Sequence, residues 1–365
     1  MKRSIFLFIL IMILPSPGSR AQDYPYRLQS PLAGQIGCSF TSWWAGGDRI
    51  TEIACPFSVI YPVSSRLQLY TVSGPAFTNL RAGQTYTLAG MSDIKLGGHF
   101  LFAGDAWLLT FGLNLPAGRS RLTPDEYTVA TVACRSAFGL RVPSYGEGLD
   151  VQAGLSNAYE VGAFRLGWGL SYLFKGSFAP FTTAETRYNP GDEVTITLAV
   201  NRGGFFFDLV YTLFFTDTWG GNDVLRAGPS LLAQSMFSLN TGDWQLVFFL
   251  RDQLRARNKI VQGGLLETER KNRNGNELDL QAAGWRDLER GARLKTFLYI
   301  KFYSNNDFGN GGLFQAGPGI GLEWPLSEPV SFSGELKAGL GSYQAPSGRV
   351  SLSGLSGYGG IIIRL

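Results

Sequence analysis

The stretch Phe164-Arg165-Leu166-Gly167-Trp168-Gly169-Leu170-Ser171-Tyr172-Leu173-Phe174 decides the fold class. Phe164, Leu166, Trp168, Leu170, Tyr172 and Phe174 occupy alternate positions, and Arg165, Gly167, Gly169 and Ser171 fall between them. A period of two sends successive side chains to opposite faces of a β-strand, so one face is greasy throughout and the other is small or polar. The pattern recurs. In 106–115, Trp107, Leu109, Phe111, Leu113 and Leu115 alternate with Ala106, Leu108, Thr110, Gly112 and Asn114. In 149–156, Leu149, Val151, Ala153 and Leu155 interleave with Asp150, Gln152, Gly154 and Ser156; in 194–201, Val194, Ile196, Leu198 and Val200 do so with Thr195, Thr197, Ala199 and Asn201. Segment 312–324 sets Phe314, Ala316, Ile320, Leu322 and Trp324 against Gln315, Gly317, Gly319, Gly321 and Glu323. A soluble sandwich turns such faces inward onto one core. These faces are too many and too aromatic for one core, which predicts an all-β transmembrane up-and-down antiparallel barrel with its apolar face toward lipid.

Connection lengths orient the chain. Strands are predicted at 35–45, 51–62, 66–74, 92–103, 106–115, 148–158, 162–174, 191–201, 204–216, 226–239, 243–257, 277–287, 293–304, 312–324, 329–342 and 352–365, sixteen in all; a fourteen-stranded barrel with an N-terminal segment inside it is the competing count. Connections after even-numbered strands are brief: Val63-Ser64-Ser65, Gly104-Asp105, Arg202-Gly203, Asn240-Thr241-Gly242 and 325–328. Those after odd-numbered strands are mostly longer, notably 116–147, 175–190 and 258–276. Outer-membrane barrels have short periplasmic turns and longer external loops, so both termini are expected in the periplasm of a Gram-negative cell.

The first residues agree with export. Lys2 and Arg3 precede the apolar run Ile5 to Leu14, Pro15 and Gly18 end it, and Ser19-Arg20-Ala21 supplies a small-x-small site, so cleavage is expected before Gln22. The expected division is a signal peptide at 1–21, a periplasmic or lumenal segment at 22–34, and the barrel at 35–365. The apolar run is too short to span a bilayer as a helix. Removing 1–21 takes three of the 32 basic residues and leaves 29 against 28 acidic ones, which gives no reason to expect a nucleic-acid partner. Forty-seven glycines with 26 Phe, 15 Tyr and 8 Trp are the mixture that curved, membrane-facing strands use.

Three cysteines occur, at 38, 55 and 134. If Ala45-Gly46-Gly47-Asp48 is a two-residue hairpin turn, Cys38 falls directly opposite Cys55, where an oxidising compartment permits a disulfide. The other reading is an unpaired thiol packed as a small apolar side chain.

Inward faces predict a wet lumen lined by Asp93, Lys95, His99, Asp150, Arg165, Asp208, Arg226, Arg251, Arg255, Asp279, Lys295, Lys301, Glu323, Glu335 and Lys337. Arg226, Arg251, Arg255 and Lys301 fall in the outer half and could act as a basic ladder that draws in anions. Alternatively, Asp279 and neighbouring acids neutralise them and the cluster holds the wall together. His99, the one histidine, is sent inward by the alternation of Ile94, Leu96, Gly98, Phe100 and Phe102, away from the lipid face where a membrane lipase would work. No catalytic residue is assigned, and no second His or paired Cys stands at ligand spacing, so neither metal nor cofactor is expected. Gly317, Gly319 and Gly321 lie mid-strand with no helix after them, which removes the basis of a phosphate cradle and reads as curvature or crowding inside the barrel.

The run Ser92-Asp93-Ile94-Lys95-Leu96-Gly97-Gly98, followed by Phe111-Gly112-Leu113-Asn114-Leu115-Pro116-Ala117-Gly118, resembles the outer-membrane barrels associated with meta-pathway phenol degradation, and more distantly the fatty-acid-type channels for hydrophobic compounds. The resemblance covers about residues 90–175. It implies passive uptake of small hydrophobic or aromatic compounds with no enzymatic step. The terminal Tyr358-Gly359-Gly360-Ile361-Ile362-Ile363-Arg364-Leu365 also resembles the strand by which the outer-membrane assembly machinery recognises its clients, with Leu365 where an aromatic is usual. Expected partners are therefore that machinery, membrane lipids and lipopolysaccharide, and a small-molecule solute. Two rival readings are a structural or interaction barrel with a closed lumen, using loops 116–147 and 258–276, and an outer-membrane lipid-modifying enzyme.

Overall fold

The computed structural model describes residues 32–309, 311–345 and 348–364; the expected signal peptide and most of the segment 22–34 lie outside them. Sixteen antiparallel strands follow one another around a closed barrel. They are β1 (Ala33–Ala45), β2 (Asp48–Ala54 and Phe57–Pro62), β3 (Leu67–Ser73 and Pro75–Ala82), β4 (Gln84–Met91 and Ile94–Phe102), β5 (Trp107–Leu115), β6 (Asp150–Val161), β7 (Phe164–Lys175) and β8 (Glu193–Arg202). The second half comprises β9 (Phe205–Phe214), β10 (Ser230–Thr241), β11 (Trp244–Arg255), β12 (Glu277–Asp287), β13 (Arg293–Tyr303), β14 (Leu313–Ser327), β15 (Val330–Ala345) and β16 (Gly348–Arg364). Closure comes from β16 pairing with β1 from Arg364↔Ala33 to Leu352↔Ala45, which leaves no free sheet edge there. The start of β1, the end of β16 and the turns at 63–66, 103–106, 162–163, 203–204, 242–243 and 328–329 share one end, as the loop parity requires.

The barrel wall is inside-out relative to a soluble protein. Ile53, Trp168, Leu170, Leu198, Leu298, Ile320, Leu336 and Leu340 are exposed on its outer face, Leu340 to 70%. The strand-to-strand partners run Lys95↔Asn114↔Asp150↔Lys175 on the inner face, so polar groups share the lumen.

Two expectations about strand limits need correction. The segment 75–91 is not a loop: it completes β3 and β4 around a turn at Gly83, whose φ of +71° favours glycine. Its inner side buries Ala76, Leu80 and Leu88 together with Thr78, while its outer side mixes Pro75, Asn79 and Arg81 with the exposed Phe77, and a strict apolar-out rule misses it. The interruptions at Cys55-Pro56, Gly74 and Ser92-Asp93 stand side by side on three neighbouring strands. The ladder bridges them through Cys55 N to Pro75 O at 2.9 Å and Ser92 N to Gly74 O at 2.9 Å. Such a row of irregularities bends a sheet. Second, β10 begins at Ser230, so Arg226 belongs to a hairpin outside the barrel (Thr216–Trp219 and Asn222–Arg226). That hairpin joins Tyr188–Asn189, Lys259–Gln262 and Leu265–Thr268 in a small external sheet.

Cys38 and Cys55 form a disulfide next to the pair Ser39↔Ala54. Cys134 is free and exposed.

Candidate functional site in the barrel lumen

The connection 116–149 does not stand outside the barrel. Its start is written locally: Thr123 caps helix α1 (Pro124–Ala133), its hydroxyl accepting the Glu126 N–H while the Glu126 carboxylate accepts the Thr123 N–H at 2.9 Å. This reciprocal capping box, with Pro124 in the first turn, is a strong helix-start signal. The helix is held by burial of Val129 and Ala133, which join Leu140, Val142 and Tyr145 in a core with Ile50, Ala54, Ala76, Leu80 and Leu88 of β2–β4. Full burial of each larger aliphatic side chain contributes about 1.5–3 kcal/mol. The apolar inner side of 75–91 is thereby explained: it meets the folded connection rather than an open lumen.

Side chains of the wall fasten the rest of the connection. Asp93 accepts the backbone N–H groups of Gly118 (2.8 Å) and Glu147 (2.9 Å), closing the base of the loop. Glu52, fully buried, accepts those of Arg141 (2.6 Å) and Val142 (3.2 Å). The Trp43 indole donates to the Phe138 carbonyl at 2.8 Å, and the Ser136 hydroxyl donates to Glu277 at 2.9 Å. Tyr145 meets the Thr78 hydroxyl at 2.9 Å and donates to Leu88 O at 3.2 Å; burial pushes this phenol up to about 12. All these anchors lie on β1–β4 and β12, so the loop covers one side of the lumen.

The charged candidates divide by what they touch. Arg251 reaches Glu277 (3.3 Å) and Asp279 (3.1 Å), and Lys301 reaches the same acids at 3.0 and 3.5 Å. Two cations meet two anions, and Lys301 also donates to the Ser136 carbonyl at 3.1 Å. This neutral network ties loop to wall, and Arg226 is outside the barrel with its Nε on Phe214 O; the four bases thus form no continuous ladder. Lys295 pairs with Glu335 at 2.8 Å, Glu323 with Arg364 at 3.0 Å, and Arg165 with Glu160 at 2.9 Å. Asp208 accepts from Gln234, Asp150 from Gly176 N, and Arg255 donates to Gln253. Asp93 is a loop anchor rather than a lumenal charge. His99 faces inward against the Tyr70 ring, 5.5 Å between centroids, opposite Thr110 on β5. Lys95 lines a cavity of about 580 Å3 beneath the loop, with Asp150, Gln152 and Lys175. Lys337 and Arg141 have no acid partner among the described residues.

The wall facing the loop is built differently. Gly154, Ser156, Gly167, Gly169, Ser171, Thr197 and Ala199 line a cavity of about 360 Å3 on β5–β9. Small residues keep space open there. Sequence reasoning named none of these as site residues, nor Glu52, Trp43, Arg141 or Tyr145; the Thr123–Glu126 capping box was the available sign that the connection was structured.

No family profile matches the sequence, and no curated protein matches it. Among solved structures the chain is similar to the CymD monoaromatic hydrocarbon channel, at 10% identity over 93% of this chain and 89% of that one, TM-score 0.46. It is similar to an anion-selective porin from Comamonas acidovorans at 12% identity, over 92% and 98% of the two chains, TM-score 0.44. CdiB from Acinetobacter baumannii shows 11% identity over 90% of this chain and 60% of its own, TM-score 0.48. The barrel assignment above rests on the closed strand ladder itself.

Proposed function

We propose that the chain is an outer-membrane channel of a Gram-negative cell through which small solutes pass down their gradients, with the folded connection 116–149 narrowing the lumen. The observation that supports this reading best is the asymmetry of the interior. The loop is fastened to β1–β4 and β12 by Glu52, Trp43, Asp93 and Glu277, while the middle of β6–β8 opposite sets Gly154, Gly167, Gly169, Ser171, Thr197 and Ala199 on the cavity beside the longer Gln152 and Asn157. A barrel whose interior served only as a core would fill both walls with interlocking side chains at interior density. Here a rigid obstruction faces small residues, the arrangement that leaves a gap of fixed width. The outward apolar residues fit a bilayer, and the short turns gathered at one end support reading that end as periplasmic.

Liposome swelling with a graded series of neutral sugars tests the reading. Passage that falls off with solute size, together with discrete conductance steps in planar bilayers, is the expected result. A wild-type protein that is folded, inserted and impermeable to all solutes would replace the channel by the closed interaction barrel.

A further inference from the structure

Resting on the channel reading, we infer that Arg141 of the loop and Lys337 of β15 form a recognition site for the carboxylate of a small organic anion. Lys337 points inward between two small neighbours, Gly319 on β14 and Ser356 on β16, and its ammonium lies 5.1 Å from the centre of the Tyr299 ring. The nearest acid on its strand, Glu335, is already engaged by Lys295. The charged groups acting on Lys337 are Glu335, Arg141, Lys301 and Lys295, three of them positive. Arg141 comes from the opposite side. Its backbone is clamped by Glu52, and its guanidinium lies 5.6 Å from the centre of the Tyr358 ring.

The Tyr358 ring is itself positioned. It lies against Gly37 and Gly360, where an added Cβ would come within 2.5 and 2.3 Å of its hydroxyl oxygen, and that oxygen accepts from Gln35 Nε2 at 2.7 Å. Between loop and wall, Arg141, Lys337 and Tyr358 line a cavity of about 370 Å3 together with Thr41, Ser356 and the carboxylate-bearing Glu335. Among the described residues neither cation makes an ion pair, although Glu52 acts on Arg141 and Glu335 on Lys337; held on separate elements around one cavity the two cations repel each other, and an anion between them offsets that repulsion. A guanidinium fork suits a carboxylate's two oxygens, and an ammonium adds a third donor. Glu335 beside the site disfavours a multiply charged anion. The Tyr358 ring gives an organic body something to lie on, and the volume fits a small molecule.

Benzoate is the probe, with benzamide as its uncharged counterpart. In planar bilayers, benzoate is expected to block the chloride current of the wild-type channel in a saturable way, with benzamide at least about tenfold weaker, the scale of one charge-assisted contact. R141Q and K337Q are each expected to weaken the benzoate block about tenfold and to shift the reversal potential toward cations. Block by benzoate that is unchanged in both variants, or equal for benzamide, overturns the site. Calorimetric titration of benzoate into the detergent-solubilised protein judges the site separately from conduction. Binding lost in R141Q and K337Q but present in a barrel that does not conduct would leave the site standing and sink the channel; a conducting barrel that binds no benzoate would do the reverse. Heat-modifiable gel mobility, unchanged in both variants, checks that they fold.

Discussion

The carboxylate of Glu52, on the inner face of β2, accepts the backbone N–H of Arg141 at 2.6 Å, across 89 residues of chain, and the N–H of Val142 with its other oxygen. The group is shut off from solvent. A buried carboxylate needs such donors, and hydrogen bonds to charged groups contribute about 1.5–3 kcal/mol. Removing the acceptor leaves two amides unsatisfied and frees the stretch that carries Arg141. Glu52→Ala is therefore expected to speed tryptic cleavage after Arg141 several-fold and to give noisier single-channel currents, with Glu52→Gln between it and wild type. Cleavage at the wild-type rate in Glu52→Ala would show that the latch does not hold the loop.

Tyr145 fastens the same loop four residues beyond Arg141. Burial pushes its phenol up to about 12, with a further contribution from the Glu52 charge, against an opposing one from the Thr78 hydrogen bond. Because the folded value lies above the ordinary value of 10.0, the protonated form is favoured in the native state. The stabilisation is complete below pH 10 and declines as the pH rises toward 12. Ultraviolet titration of wild type minus Tyr145→Phe should show one tyrosine ionising near 12, and tryptic sensitivity of the loop should rise over the same interval. A difference curve centred near 10 would place Tyr145 in contact with water instead.

The two faces of the wall make opposite predictions for one substitution. Leu298, on the outer face of β13, is half exposed, and Thr197, on the inner face of β8, lines the cavity opposite the loop. An arginine on the lipid side near mid-bilayer costs about 2–4 kcal/mol, whereas one in a wet lumen is tolerated. Leu298→Arg should lose heat-resistant folded protein in refolding into lipid vesicles, and Thr197→Arg should refold normally while passing fewer large solutes. Equal refolding of the two would contradict a lipid-facing outer surface.

The strand count and the opposition of Cys38 to Cys55 were legible because they follow from a local period of two and from turn length. What escaped has one physical origin. The apolar-out rule assumes water inside, and that assumption fails where the chain's own loop packs against the inner face. There Leu80 and Leu88 turn inward onto Val129 and Val142, so 75–91 reads as irregular. The loop anchors escaped for a different reason. Glu52 and Glu277 each meet residues about 90 and 140 positions away, and no local pattern reports such a pairing. The Thr123–Glu126 box, by contrast, is a local pattern, and the reading by strand alternation passed over it.

Gly319 and Phe297 test the crowding read into the glycine run of β14. They are direct cross-strand partners, and a Cβ built on Gly319 would come within 2.0 Å of the Phe297 ring, so the ring covers the glycine on the inner wall. Gly319→Val must displace that ring into the neighbouring strands, and overpacking of this kind costs about 1–3 kcal/mol. Phe297→Ala alone loses the ring's packing. In the double variant the valine occupies space the ring has vacated, so the two losses should not add, and contacting residues typically couple by about 0.5–3 kcal/mol. The temperature at which the folded band disappears on a heat-modifiability gel gives the four corners of the cycle. Each single variant should fall below wild type, and the double variant should lie above the sum of the two decrements. Strict additivity would mean that the ring and the glycine do not share that space.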